Sequence, residues 1–120
     1  MSSDVLLIEA DADVAADILA ELNSATEERF QVEWVTELSS GVERLRNGAV
    51  GAVVLDLTSP DSHGVETSDK LFQASSRVPV LILTEADAEE MARQAVQRVA
   101  YAYVFKNQSA GYRIRGQCIR

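Results

Sequence analysis

The sequence predicts an α/β fold in which a parallel sheet is covered by helices on both faces, and three observations predict it. Unbroken apolar runs of strand length recur through the chain, as at Val5–Ile8, Ala52–Leu55 and Val78–Leu83. Such runs mark strands buried on both faces, where alternation would mark strands with one wet face. Segments with helical spacing separate the runs, and strict alternation of strand and helix specifies parallel strands joined by right-handed crossovers. Finally, the runs end in groups that do not belong in a core: Glu9, Asp56 and Thr84, with Lys106 after a shorter run.

The first strand, Val5 to Ile8, gives way to Glu9-Ala10-Asp11. Val14, Ile18 and Leu22, with Ala15 and Leu19, then recur at helical spacing to about Asn23, with Asp11 or Asp13 as the N-cap. Phe30 to Val35 mixes Phe30, Val32, Trp34 and Val35 with polar residues, as a half-exposed edge strand does. Leu38, Val42 and Leu45 mark a second helix, with Thr36 or Ser39 near its start and Asn47-Gly48 at its end. The third strand runs from Ala52 to Asp56, and the turn-rich Thr58–Gly64 leads into a helix bearing Val65, Leu71 and Phe72. Val78–Thr84 is the fourth strand, with Pro79 among its first residues. Glu85, Asp87, Glu89 and Glu90 open a fourth helix favourably for its dipole, and Ala92, Ala95, Val96 and Val99 give it a face of small residues. Tyr103-Val104-Phe105 is a short fifth strand ending in Lys106, and a last helix is expected from Ser109. Five strands in the order 2-1-3-4-5, a flavodoxin-like arrangement, is the economical topology, with the more polar strand two at the edge.

The 120 residues, 47% of them apolar, suit one domain over residues 1–120. A formal charge of -8 argues against nucleic-acid binding, which normally needs a concentrated basic patch. No apolar run approaches the roughly 20 residues that span a bilayer, and a cytoplasmic location is expected. One cysteine, Cys118, and one histidine, His63, leave no basis for a disulfide, a cysteine-based metal site or Cys-His catalysis.

In the predicted topology Glu9, Asp56, Thr84 and Lys106 end at one edge of the sheet, where open α/β folds keep their chemistry. Two carboxylates there form a hard oxygen site for a Mg²⁺-like cation, and a hydroxyl with an ammonium suits the oxygens of a phosphoryl group on Asp56. These residues resemble the receiver domains of two-component response regulators. Val5 to Asp13 looks like the family's first strand and acidic pair. Val54-Leu55-Asp56-Leu57 with Pro60-Asp61 and Gly64 looks like its phosphorylation motif, and Leu83-Thr84 and Tyr103-Val104-Phe105-Lys106 look like its switch threonine, switch aromatic and lysine.

The resemblance implies that Asp56 accepts a phosphoryl group from a histidine kinase, a phosphotransfer protein or a small phosphodonor, with Mg²⁺ on Glu9 and Asp56. It further implies that Lys106 and Thr84 serve the transfer, and that Thr84 and Tyr103 report it through the face of helix four, strand five and helix five. An output domain or a second copy would receive the signal, and the chain would be a self-phosphorylating acceptor at most, not an enzyme. Three positions depart from the pattern. Ala10 replaces the second acid of the pair, Glu85 follows Thr84 where a small residue is usual, and Asn107 follows Lys106 where a proline in a cis peptide is common. The expected results are weaker Mg²⁺ binding, slower phosphorylation and a trans bond before Asn107, because a cis bond there costs about 2.5–4 kcal/mol.

Two other readings stand beside this one. A degenerate receiver would bind partners or dimerise without phosphorylation, as Ala10 and Glu85 suggest. A flavodoxin-like enzyme or nucleotide binder ranks lower, because Glu9-Ala10-Asp11-Ala12-Asp13 would repel a phosphate that a glycine-rich loop would cradle.

Overall fold

A computed structural model describes residues 3–23, 30–75 and 77–106 of the chain. The last helix expected from Ser109, with Tyr112 and Cys118, and the peptide bond before Asn107 lie outside the described residues. Within them the chain runs β1 (Ser3–Ile8), α1 (Ala12–Asn23), β2 (Phe30–Val35), α2 (Leu38–Arg46), β3 (Ala52–Asp56), α3 (Glu66–Ala74), β4 (Val80–Thr84), α4 (Glu89–Arg98) and β5 (Ala102–Phe105). The five strands form one parallel sheet in the order β2-β1-β3-β4-β5, the doubly wound arrangement read from the sequence.

The pleat sends alternate residues to opposite faces, and both faces are buried. Leu6, Ile8, Val53, Leu55, Val80 and Ile82 pack with Leu38 and Leu45 of α2, Leu71 of α3, and Ala92 and Ala95 of α4. Val5, Leu7, Val54, Leu81, Leu83 and Val104 pack with Ala15, Ile18 and Leu22 of α1. This two-sided burial is why the central strands read as unbroken apolar runs. Helix α2 lies so close to β1 that a Cβ on Gly41 would sit 2.3 Å from Ile8 Cδ1. Glycine inside a helix costs about 1 kcal/mol of propensity, and here it is the residue that lets the layer close.

Some local devices differ from the sequence reading. Neither Thr36 nor Ser39 caps α2: the Asp61 carboxylate reaches across from the loop after β3 and accepts the Leu38 and Ser39 amides at 2.9 Å each. That loop is not irregular, because Thr58–Ser59 and Ser62–His63 pair antiparallel as a small hairpin. Strand β4 starts at Val80, after Pro79, whose carbonyl still accepts the Val53 amide at 3.0 Å. A 3₁₀ turn, Ala86–Ala88, precedes α4, which ends at Arg98, so Val99 lies just beyond the helix. No helix among the described residues is long and apolar enough to cross a membrane.

Candidate functional site

The register of the sheet aligns the site. Ile8 lies opposite Leu55, so Glu9 and Asp56 leave their strands at one level, and Asp56 lies opposite Leu83. Thr84 lies opposite Phe105, which puts Lys106 two residues beyond that level. Parity then sorts the groups. Glu9, Asp56 and Lys106 follow the alternation of Leu7, Val54 and Val104 toward the α1 side, whereas Thr84 and Tyr103 follow Ile82 toward the α4 side. Glu9, Asp56 and Lys106 therefore lie on the α1 side of the edge, and Thr84 and Tyr103 on its α4 side.

Lys106 Nζ donates to Asp56 Oδ2 at 2.7 Å and stands 3.1 Å from Glu9 Oε1. The three groups come from strands β5, β3 and β1, with β4 between the lysine and its nearer partner. Each carboxylate is also fastened locally: Asp56 Oδ1 accepts the Thr58 amide at 3.0 Å, and Glu9 Oε2 accepts the Asp11 amide at 3.1 Å. Glu9 is only 1% exposed, and its Oε1 has the lysine charge beside it without a hydrogen bond. Burial pushes the Glu9 carboxyl up to about 7, helped by the neighbouring Asp56 carboxylate; the Asp11 amide and Lys106 oppose the shift. Burial works against the Lys106 ammonium, but its hydrogen bond to Asp56 and the charges of Asp56 and Glu9 outweigh that and raise its pKa.

The groups line an open cleft of about 400 Å³ whose rim includes Ala10, Asp11, Thr84, Glu85, Asp87, Met91 and Lys106. Two carboxylates from neighbouring strand ends, one with a buried oxygen lacking a hydrogen bond, fit a hard divalent cation that keeps several waters. No group of three or more His, Cys, Asp or Glu side chains disposed for a metal occurs among the described residues. Asp11 does not take the place of Ala10, since its Oδ1 caps α1 by accepting the Asp13 and Val14 amides at 2.9 and 3.3 Å.

Thr84 is buried and its hydroxyl donates to the Glu85 carbonyl at 3.1 Å. Glu85 is exposed on the rim. Half-buried Tyr103 donates its hydroxyl to Glu89 Oε2 at 2.7 Å, and its ring meets Phe105 edge-on at 5.8 Å. His63 is exposed in the hairpin. One participant was missed by the sequence reading, in which Trp34 is only a residue of the half-exposed edge strand. Its indole Nε1 donates to the Glu9 carbonyl at 2.8 Å. A lone polar-tipped aromatic near the end of the edge strand was the available signal.

A doubly wound parallel sheet with two carboxylates and a lysine meeting at its carboxyl edge makes this an α/β domain of the flavodoxin-like class with a charged site at that edge. Family comparison is specific: the response regulator receiver domain model matches residues 5–112, and the chain belongs to that family. Among curated proteins, it is 34% identical over 102 residues to the transcriptional regulatory protein QseB of Escherichia coli O157:H7, covering 85% of this chain and 45% of that protein. It is 36% identical over 77 residues to QseB of Haemophilus influenzae, covering 64% of this chain and 35% of that one. The chain thus spans less than half the length of these relatives. Its fold matches a two-component response regulator from Clostridium difficile, with a TM-score of 0.81, 14% identity, and 98% and 96% of the two chains covered. It also matches the response regulator domain of Thermotoga maritima CheB, with a TM-score of 0.80, 12% identity, and 99% and 95% covered. Receiver domains in general take a phosphoryl group on an aspartate, bind Mg²⁺ in an acidic pocket, and work with histidine kinases and output domains.

Proposed function

We propose that this chain is a phosphorylation-switched receiver with Asp56 as its acceptor. The observation that carries the reading is the Lys106 ammonium, 2.7 Å from Asp56 and 3.1 Å from Glu9 at the mouth of the cleft. An Asp56 oxygen attacks the phosphorus of a phosphohistidine. The new O–P bond forms as the P–N bond breaks, and the electron pair stays on the donor imidazole, which takes up a proton. Lys106 neutralises charge on the phosphoryl oxygens, and the Thr84 hydroxyl turns from the Glu85 carbonyl to donate to one of them. Glu9 and Asp56 would hold Mg²⁺, which when bound supplies further charge neutralisation to the same oxygens. The chain is an acceptor, not a catalyst for other substrates. Its kinase or phosphotransfer partner docks at the cleft, and the signal leaves through α4 and β5, where Tyr103 is tied to Glu89.

A second reading, a receiver that works by partner binding without phosphorylation, is favoured by Ala10 in the cleft wall and by the acidic rim of Glu85 and Asp87. Acetyl phosphate with Mg²⁺ separates the two. Intact mass should rise by one phosphoryl group in the native chain and not in Asp56→Asn, and no Asp56-dependent gain would leave the second reading standing. Ala10→Asp, which returns the missing acid, should tighten Mg²⁺ binding by about tenfold.

A further inference from the structure

We infer that Trp34 is a positioning residue for the cation site: its indole N–H fixes the Glu9 carbonyl and thereby aims the Glu9 carboxylate into the cleft. The inference deepens the reading above and rests on Glu9 being a cation ligand. Register brings the two together, because Trp34 lies opposite Leu7 and on the same side of the sheet as Val32, the α1 side to which Glu9 points. The β1–β2 ladder stops at the Ile8–Val35 level. Beyond it, β2 still grips Glu9 at two points: the Val35 carbonyl accepts the Glu9 amide at 3.1 Å, and Trp34 Nε1 donates to the Glu9 carbonyl at 2.8 Å.

That carbonyl belongs to the peptide between Glu9 and Ala10. With it held, the next amide but one, that of Asp11, sits 3.1 Å from Glu9 Oε2 and leaves Oε1 facing Lys106. Rotation of the peptide would carry the Asp11 amide off Oε2 and release the carboxylate. Ala10 offers no carboxylate and Asp11 is spent on the α1 cap, so the aim of Glu9 alone decides what β1 contributes to a cation. Trp34 is 38% exposed, and its N–H is the polar atom that phenylalanine lacks.

Trp34 is the chain's single tryptophan, so its emission reports on this peptide directly. Titrating the native chain with MgCl₂ should change Trp34 fluorescence saturably, and Glu9→Gln should abolish the change. By calorimetry, Trp34→Phe should weaken Mg²⁺ binding about tenfold, the usual cost of losing a group that orients a ligand. Its thermal midpoint in EDTA should stay within a few degrees of native, because the ring packing is kept. If Glu9→Gln weakens Mg²⁺ binding and Trp34→Phe does not, the positioning role is overturned while the receiver reading survives. If Glu9→Gln leaves Mg²⁺ affinity unchanged, the cation site itself has been misassigned, and the positioning role falls with it.

Discussion

Strands β1 and β3 end in the same local device, and the two ends differ electrostatically. In each, a buried apolar run reaches a carboxylate that accepts the amide two residues on, Asp11 for Glu9 and Thr58 for Asp56. The β3 end then has the lysine hydrogen-bonded to it at 2.7 Å, whereas the β1 end has it at 3.1 Å beside an oxygen that makes no hydrogen bond. Strand order explains the inequality. The strand that carries Lys106 lies two strand spacings from that of Asp56, roughly 10 Å, and three from that of Glu9, roughly 14 Å. The farther strand carries the longer acid, which reaches the ammonium only by lying buried along the sheet edge. Glu9 is consequently the carboxyl whose pKa burial raises to about 7, while Asp56 carries the closer contact to the lysine.

The largest effect should come from removing what both ends share. Lys106→Met leaves two facing carboxylates with no cation, and unpairing a buried charge costs about 3 kcal/mol. Urea unfolding at pH 8 in EDTA should show a loss of this size, with Glu9→Gln recovering part of it in the double variant. A loss below roughly 0.5 kcal/mol would mean that the lysine does not hold the two ends together.

Next in size is a pH dependence that separates the ends. A carboxyl raised from 4.5 to about 7 keeps a proton in the folded state that the unfolded chain releases. Its contribution to stability is therefore fully present below 4.5 and is lost as the pH rises through about 7. In EDTA, Glu9→Gln should flatten this decline, which is on the order of 3 kcal/mol, over that window. Because the Asp56 carboxylate acts on Glu9, the measured midpoint belongs to the pair. A decline that persists in Glu9→Gln would place the shared proton elsewhere.

Legibility in the sequence follows chain distance. The strands could be read because burial on both faces writes itself as unbroken runs, and the order 2-1-3-4-5 followed from alternation and a polar edge strand. Glu9, Asp56, Thr84 and Lys106 could be placed at one edge because each directly follows or ends a strand. What could not be read are bonds made across the fold. Asp61 caps a helix 22 or more residues earlier, and Trp34 binds a carbonyl 25 residues away; neither leaves a local pattern. Nor does the sequence distinguish an acid at a strand end from one that is 1% exposed, the difference that sets Glu9 apart.

The smallest effect tests whether the two strand ends are alike only in their backbone. Asp11 serves β1 through its amide and α1 through its side chain, which accepts the Asp13 and Val14 amides. Asp11→Ala keeps the first bond and loses the second, so it should cost about 1 kcal/mol, the usual value of an N-cap, and leave Mg²⁺ affinity at the native level. Thr58 serves β3 through its amide while its residue is exposed, so Thr58→Ala should change stability by no more than about 0.5 kcal/mol. Thermal unfolding of both variants, with calorimetric Mg²⁺ titration, checks the pair. If Asp11→Ala also weakens the cation, then the cap helps to fix the Asp11 amide on Glu9, and the β1 end depends on helix α1 in a way that the β3 end, which runs into a hairpin, does not.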